Sequence, residues 1–299
     1  MPRLKSPGQT TASYPTRQTR CVLLLAALAL LPGCAARAAF DSELQPLAAD
    51  SALTGKLGAV GMVVSGEPGS AISMATGFLI SACHVLTAGH VLARTGKSAR
   101  IGMPVKYIPK GESGRASVPA VWGRVVAADP DFVMSEGPPG FDLRAIAQDW
   151  GLVELDRPLT GVEPIKLVSP GSRVARDALF SIVGYPLGRR QSGLYADEHC
   201  RNWSGHHGAI SLANVIFADC AVRQGMSGGP LLLDDSATPL AAGIVVKRVV
   251  ISQKVMTVAV PSHVFAEKIM ATMRDSEVCA AGSPFALPSY HAQQDAVAP

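Results

Sequence analysis

Short runs rich in Val and Ile recur along this chain, with Gly, Pro, Ser or Asp between them. They are Ala59–Ser65, Met74–Ile80, Val118–Ala127, Gly151–Leu155, Ala178–Gly184, Ile210–Ala218, Gly229–Leu233, Leu240–Val250 and Val255–Val260. Most are too short for helices, and β-branched side chains suit a pleated surface. Many short strands joined by turns predict an all-β fold, an antiparallel sandwich or barrels. One segment differs. Ser262–Arg274 places Val264, Phe265, Ile269 and Met270 near helical spacing, with Ser262 as N-cap after Pro261. A single C-terminal helix on an all-β body is expected. Asp129–Phe141 reads as a surface loop, Ile101–Arg115 holds another, and the tail after Ala281, rich in Pro, Ala and Gln, is expected to fray.

The first residues have a different character. Cys21–Leu31 is an unbroken apolar run after a basic, acid-free stretch, too short for the roughly 20 residues that a membrane span needs. Followed by small residues, it reads as an export signal over 1–38. Two endings stay open. Ala36-Arg37-Ala38 fits signal cleavage before Ala39, whereas Leu31-Pro32-Gly33-Cys34 resembles a bacterial lipobox, with Cys34 lipidated and holding the protein to a membrane. Either ending takes the chain out of a bacterial cytoplasm, to the periplasm or beyond. The leader also explains the charge. Arg3, Lys5, Arg17, Arg20 and Arg37 are five of the 27 basic residues, and without them 22 face 23 acids. With aromatics at 5%, neither a polyanion nor a stacked single strand has a surface to bind, so no nucleic-acid partner is expected.

Cys83, Cys200, Cys220 and Cys279 remain beyond the leader, an even number that suits disulfides in an oxidising compartment and permits three pairings. Cys200, His206, His207 and Cys220 lie close in sequence but lack zinc-ligand spacing, so no metal or other cofactor is expected.

Three segments carry chemistry together. Leu86-Thr87-Ala88-Gly89-His90-Val91 follows an apolar strand, Asp149-Trp150 leads into Gly151–Leu155, and Gly225-Met226-Ser227-Gly228-Gly229-Pro230 forms a tight Gly-rich turn. A serine hydroxyl needs a base within reach, and an imidazole titrates near neutrality. Asp149 would orient His90 and stabilise its imidazolium, while the backbone N–H groups of Gly225 and Ser227 would receive a developing oxyanion. Asp142 is the rival acid, but no apolar strand follows it. The remaining histidines, His84, His199, His206, His207, His263 and His291, show no such pattern.

The order His, Asp, Ser, on these motifs, resembles that of the trypsin-like (chymotrypsin-fold) serine proteases, over roughly residues 55–273. The resemblance implies two antiparallel six-stranded β-barrels, the first over 45–160 with His90 and Asp149, the second over 161–279 with Ser227 and the terminal helix, and a tail over 280–299. It implies a monomeric serine endopeptidase acting on proteins or peptides through an acyl-enzyme at Ser227. Its primary pocket would be floored near Ala221 and Val222, and Val246, Lys247 and Arg248 would flank the substrate. The resemblance also implies disulfides Cys200–Cys220 and Cys83–Cys279, the latter because the family's terminal helix packs beside the segment before the catalytic His. Met226 stands where digestive members carry the Asp that pairs with a freshly cut amino terminus, so that activation switch is expected to be absent. The rival readings are a non-catalytic binding protein on the same fold and an envelope quality-control protease, for which too little chain follows the barrels to form an extra domain.

Overall fold

The computed structural model describes residues 44–109, 118–134, 142–172, 174–189, 193–203, 214–234, 236–251, 254–276, 278 and 285–286. A two-residue strand β1 (Gln45–Pro46) comes first. Strands β2 (Val60–Glu67), β3 (Ser70–Leu79), β4 (His84–Thr87), β5 (Pro104–Ile108), β6 (Val121–Ala128) and β7 (Gly151–Leu155) then close a barrel in the order β2-β3-β4-β7-β6-β5. Its interior is filled by Phe78, Leu86, Tyr107 and Leu152, all fully buried. The Tyr107 hydroxyl donates to the Ala59 carbonyl at 2.6 Å, which satisfies the one polar atom that this ring brings inside.

The second half comprises β8 (Lys166–Val168), β9 (Leu179–Gly184), β10 (Tyr195–Arg201), β11 (Ile216–Ala218), β12 (Pro230–Leu233), β13 (Leu240–Ile251) and β14 (Lys254–Pro261). The path β10-β9-β12-β13-β14-β11 is antiparallel throughout, and a lone bridge between Asn202 and Ala218 joins its two ends. Six strands therefore form this half's body. β1 extends it beside β10, while β8 and β15 (Phe285–Ala286) add parallel pairs. A short helix α1 (Leu143–Ala147) precedes β7, and α2 (Ser262–Arg274) follows β14 directly. Among the described residues no helix is long and apolar enough to cross a membrane.

Several expectations need correction. The stretch Ile101–Arg115 also holds an unexpected strand, β5, with Val105 and Tyr107 fully buried on the inward side. Alternation over so few residues between prolines is a faint signal. Ser262 does not cap α2. Pro261 holds the N-cap position with no side-chain bond, and the Ser262 hydroxyl instead donates to the Val168 carbonyl at 2.7 Å, tying the helix start to β8. Gln45–Pro46, assigned to the first barrel, pairs with Ala196 and Tyr195 of the second. The helix itself has the expected bounds.

α2 reaches back to the first barrel. Phe265 lies 5.8 Å from the Trp150 ring, and the Lys268 ammonium sits 5.5 Å over that ring while bonding Asp129 at 3.0 Å. Among the described unassigned histidines, His84 is fully buried and structural. Its Nδ1 is 2.7 Å from the Ser81 hydroxyl, and its Nε2 is 3.9 Å from Glu154, whose carboxylate also takes Arg124 and Ser276. Burial holds the His84 pKa below the usual imidazole value, against the opposing pull of Glu154.

Candidate active site

After β4 the chain makes one turn of 3-10 helix, Gly89–Val91, which lifts His90 off the barrel rim. The turn is pinned from below, since the Ser65 hydroxyl donates to the Val91 carbonyl at 2.6 Å. Asp149 stands at the entry to β7 and holds His90 twice. The His90 backbone N–H donates to Oδ1 at 2.7 Å, and Nδ1 lies 2.8 Å from Oδ2. A carboxylate at Nδ1 fixes the proton there, which leaves Nε2 as the basic atom. Burial works against a charged His90, but the Asp149 charge and hydrogen bond outweigh it, and the pKa is raised; Lys247 pulls it down. Asp142, the rival acid, is spent on structure. Its carboxylate accepts from the N–H groups of Arg144 and Ala145 and so caps α1.

The third motif forms a turn across the interface. Met226 N–H bonds the Arg223 carbonyl at 3.1 Å, and Gly225, third in that turn, has φ +96°, the signature of a type II turn. The Gln224 carbonyl accepts from Leu187 N–H at 2.6 Å. In a trans peptide the next N–H points the opposite way, so this bond turns Gly225 N–H away from Leu187. Met226 is buried in the second-half core with Leu231 and Val245. Gly228 must lack a side chain, because a Cβ there would meet the Thr87 hydroxyl and the Thr76 carbonyl.

Sequence reasoning missed Thr76, on β3 of the other barrel. Its hydroxyl donates to the Gly225 carbonyl at 2.8 Å and accepts from Tyr185 N–H at 3.0 Å. Its backbone N–H donates to the Ser227 carbonyl at 3.0 Å, and its carbonyl accepts from the Thr87 hydroxyl at 2.8 Å. One residue thus ties the serine turn to the barrel that carries His90 and Asp149. No local motif marks such a residue.

His90, Gly225 and Ser227 line one cavity of about 520 Å³. The residues assigned to the substrate wall are not among its described lining. Ala221, Val222 and Val246 are buried, Lys247 is half-buried and Arg248 is exposed. The sequence places no acid at Ala221 or Val222, yet Asp197 of β10 reaches Ala221 in space, accepting from its N–H at 2.5 Å. Cys200 and Cys220 are joined in a disulfide with Cα atoms 5.1 Å apart, which removes both from any zinc site. Cys83 is buried with its sulfur 3.8 Å from the Val278 carbonyl; Cys279, like His206, His207 and His291, lies outside the described residues. Among the described residues no group of three or more His, Cys, Asp or Glu is arranged to hold a metal ion.

Comparison with known proteins agrees with this architecture. The model of the trypsin-like peptidase domain matches residues 75–238, more than half of the chain. Among solved structures, a thermostable serine protease AL20 from an extremophilic microorganism is 16% identical with a TM-score of 0.51, covering 72% of this chain and 97% of its own. A Glu endopeptidase is 16% identical with a TM-score of 0.52, covering 74% and 93%. Protease Anisep from Arthrobacter nicotinovorans is 16% identical with a TM-score of 0.51, covering 73% and 96%. No curated protein matches the chain. The chain belongs to the trypsin-like peptidase family and is a serine-type endopeptidase.

Proposed function

We propose that this protein is exported from a bacterial cytoplasm and cleaves peptide bonds through an acyl-enzyme at Ser227, with His90 as base and Asp149 as its orienting acid. The observation that carries the reading is the doubly bonded His90–Asp149 pair opening onto the same cavity as Ser227. His90 Nε2 takes the Ser227 proton as Oγ attacks the carbonyl, and Asp149 stabilises the imidazolium. The N–H groups of Gly225 and Ser227 receive the oxyanion, a pair worth about 3–4 kcal/mol per donor in comparable sites. His90 then hands its proton to the leaving amine, and water repeats the sequence to free Ser227. Export rests on the leader, whose residues 1–38 lie outside those described, and lipidation at Cys34 stays an alternative to cleavage before Ala39.

The reading predicts the pH profile. Hydrolysis needs neutral His90, whose pKa is raised, so kcat/KM climbs with pH through a midpoint above 6.5. Lys247 disfavours the imidazolium, so Lys247→Met moves that midpoint higher still. A midpoint that stays put or falls in the variant contradicts the assignment of His90 as base.

No proteolytic activation is expected. Met226 offers no carboxylate to a new amino terminus, and the Leu187–Gln224 bond already orients the Gln224–Gly225 peptide. Protein beginning at Ala39 reacts with a fluorophosphonate probe at Ser227 as purified; reactivity that appears only after a downstream cut refutes this. The second disulfide is also a proposal. The 3.8 Å approach of the Cys83 sulfur to Val278 supports a bond to Cys279, and non-reducing peptide mapping that yields separate Cys83 and Cys279 peptides refutes it.

A further inference from the structure

The cavity at Ser227 does not end beside His90. It adjoins a second cavity of about 440 Å³, the two sharing Ile72 and Arg94 as wall residues. The extended backbone of β3 from Ser70 to Ala75 forms one side of the first cavity, a wall suited to a peptide in extended form. The segment after the His90 turn forms the other side and brings Arg94, Lys97 and Arg100 to the second cavity. Among the described lining residues of the first cavity there is no carboxylate, and the second has only Glu67, which Arg100 engages at 3.5 Å. Arg94 and Lys97 are exposed and form no ion pair among the described residues.

Chemistry says which part of a substrate meets these cations. His90 must protonate the departing amine, so the released half of the peptide leaves along the His90 side of the cleft. We infer that the groove running from His90 past Arg94 and Lys97 is a subsite for acidic side chains on the leaving half of the substrate, just C-terminal to the cut bond. This inference rests on the peptidase reading above and adds a substrate class to it. Carboxylates one to three residues beyond the cut would complete the charge that the groove leaves uncompensated. The attraction is that of exposed ion pairs, so it is modest and falls with salt.

Two measurements test it. Internally quenched peptides, randomised before the cut and carrying either Asp-Glu or Lys-Arg after it, are compared by kcat/KM at low salt. The acidic set is expected to be cleaved about five-fold faster, two exposed pairs being worth about that factor. The Arg94→Gln/Lys97→Gln variant brings the ratio to about one, as does high salt. Independently of turnover, labelled peptides with those two leaving-side sequences are titrated onto full-length Ser227→Ala protein, and the acidic one binds tighter by a similar factor. Equal rates and equal binding in the unaltered groove, or a ratio that survives the double substitution, overturn the inference and leave the peptidase standing. Protein that cleaves neither set and ignores fluorophosphonate overturns the peptidase reading instead, while the titration still decides the charge of the groove.

Discussion

Replacing Ser227 by Ala lowers kcat about a millionfold, the scale of loss when a hydroxyl nucleophile is removed from a Ser-His-Asp unit. The thermal midpoint stays within about 2 °C, because the turn is held by its backbone. The Ser227 carbonyl accepts from Thr76, Gly228 N–H bonds the Val245 carbonyl at 2.7 Å, and Gly229 N–H bonds the Met226 carbonyl at 3.0 Å. None of these bonds involves the hydroxyl. Hydrolysis and thermal melting of the same preparation check both halves of the expectation. Full turnover in contaminant-free variant protein removes Ser227 from the mechanism, and a collapse in stability assigns it a packing role.

The second large effect is expected at a residue that touches no substrate. Thr76→Val keeps the shape and deletes the hydroxyl, leaving the Gly225 carbonyl and Tyr185 N–H buried without their partner. Each orphaned group costs about 1–3 kcal/mol, so the thermal midpoint falls by roughly 10 °C. Thr76 is a positioning residue, and its loss also frees the Gly225–Met226 peptide, loosening the turn that carries both Gly225 and Ser227. kcat therefore drops about tenfold or more while KM changes little, the pattern of an interaction made only in the transition state. Thr76→Ser restores the hydroxyl and most of the rate. A Val variant with wild-type melting and turnover would falsify the role.

His90, Asp149 and Ser227 were legible because each sits in a local motif with its own turn chemistry, and the choice of Asp149 over Asp142 rested on the strand that follows. Thr76 was not legible, since the carbonyl it holds lies 149 residues away in sequence and an isolated Thr in a strand carries no signature. The strands divide in the same way. β7 and β13 announce themselves by apolar runs, whereas β10 reads Tyr-Ala-Asp-Glu-His-Cys-Arg, because its polar residues face outward or bond to groups distant in sequence. His199 shows this most clearly, with φ +63° and both its backbone N–H and Nδ1 on Asp234, 35 residues away. Asp197 was likewise invisible as a neighbour of Ala221, which lies 24 residues away in sequence.

The Thr76 clamp has a further consequence for the life of the molecule. The serine turn takes its shape from a strand of the opposite barrel, so neither half becomes a hydrolase by folding alone. Hydrolytic power therefore requires the two halves to be seated against each other. A chain whose halves have not docked lacks the serine turn's Thr76 anchor, so activity regained during refolding reports on docking as well as on the folding of each half.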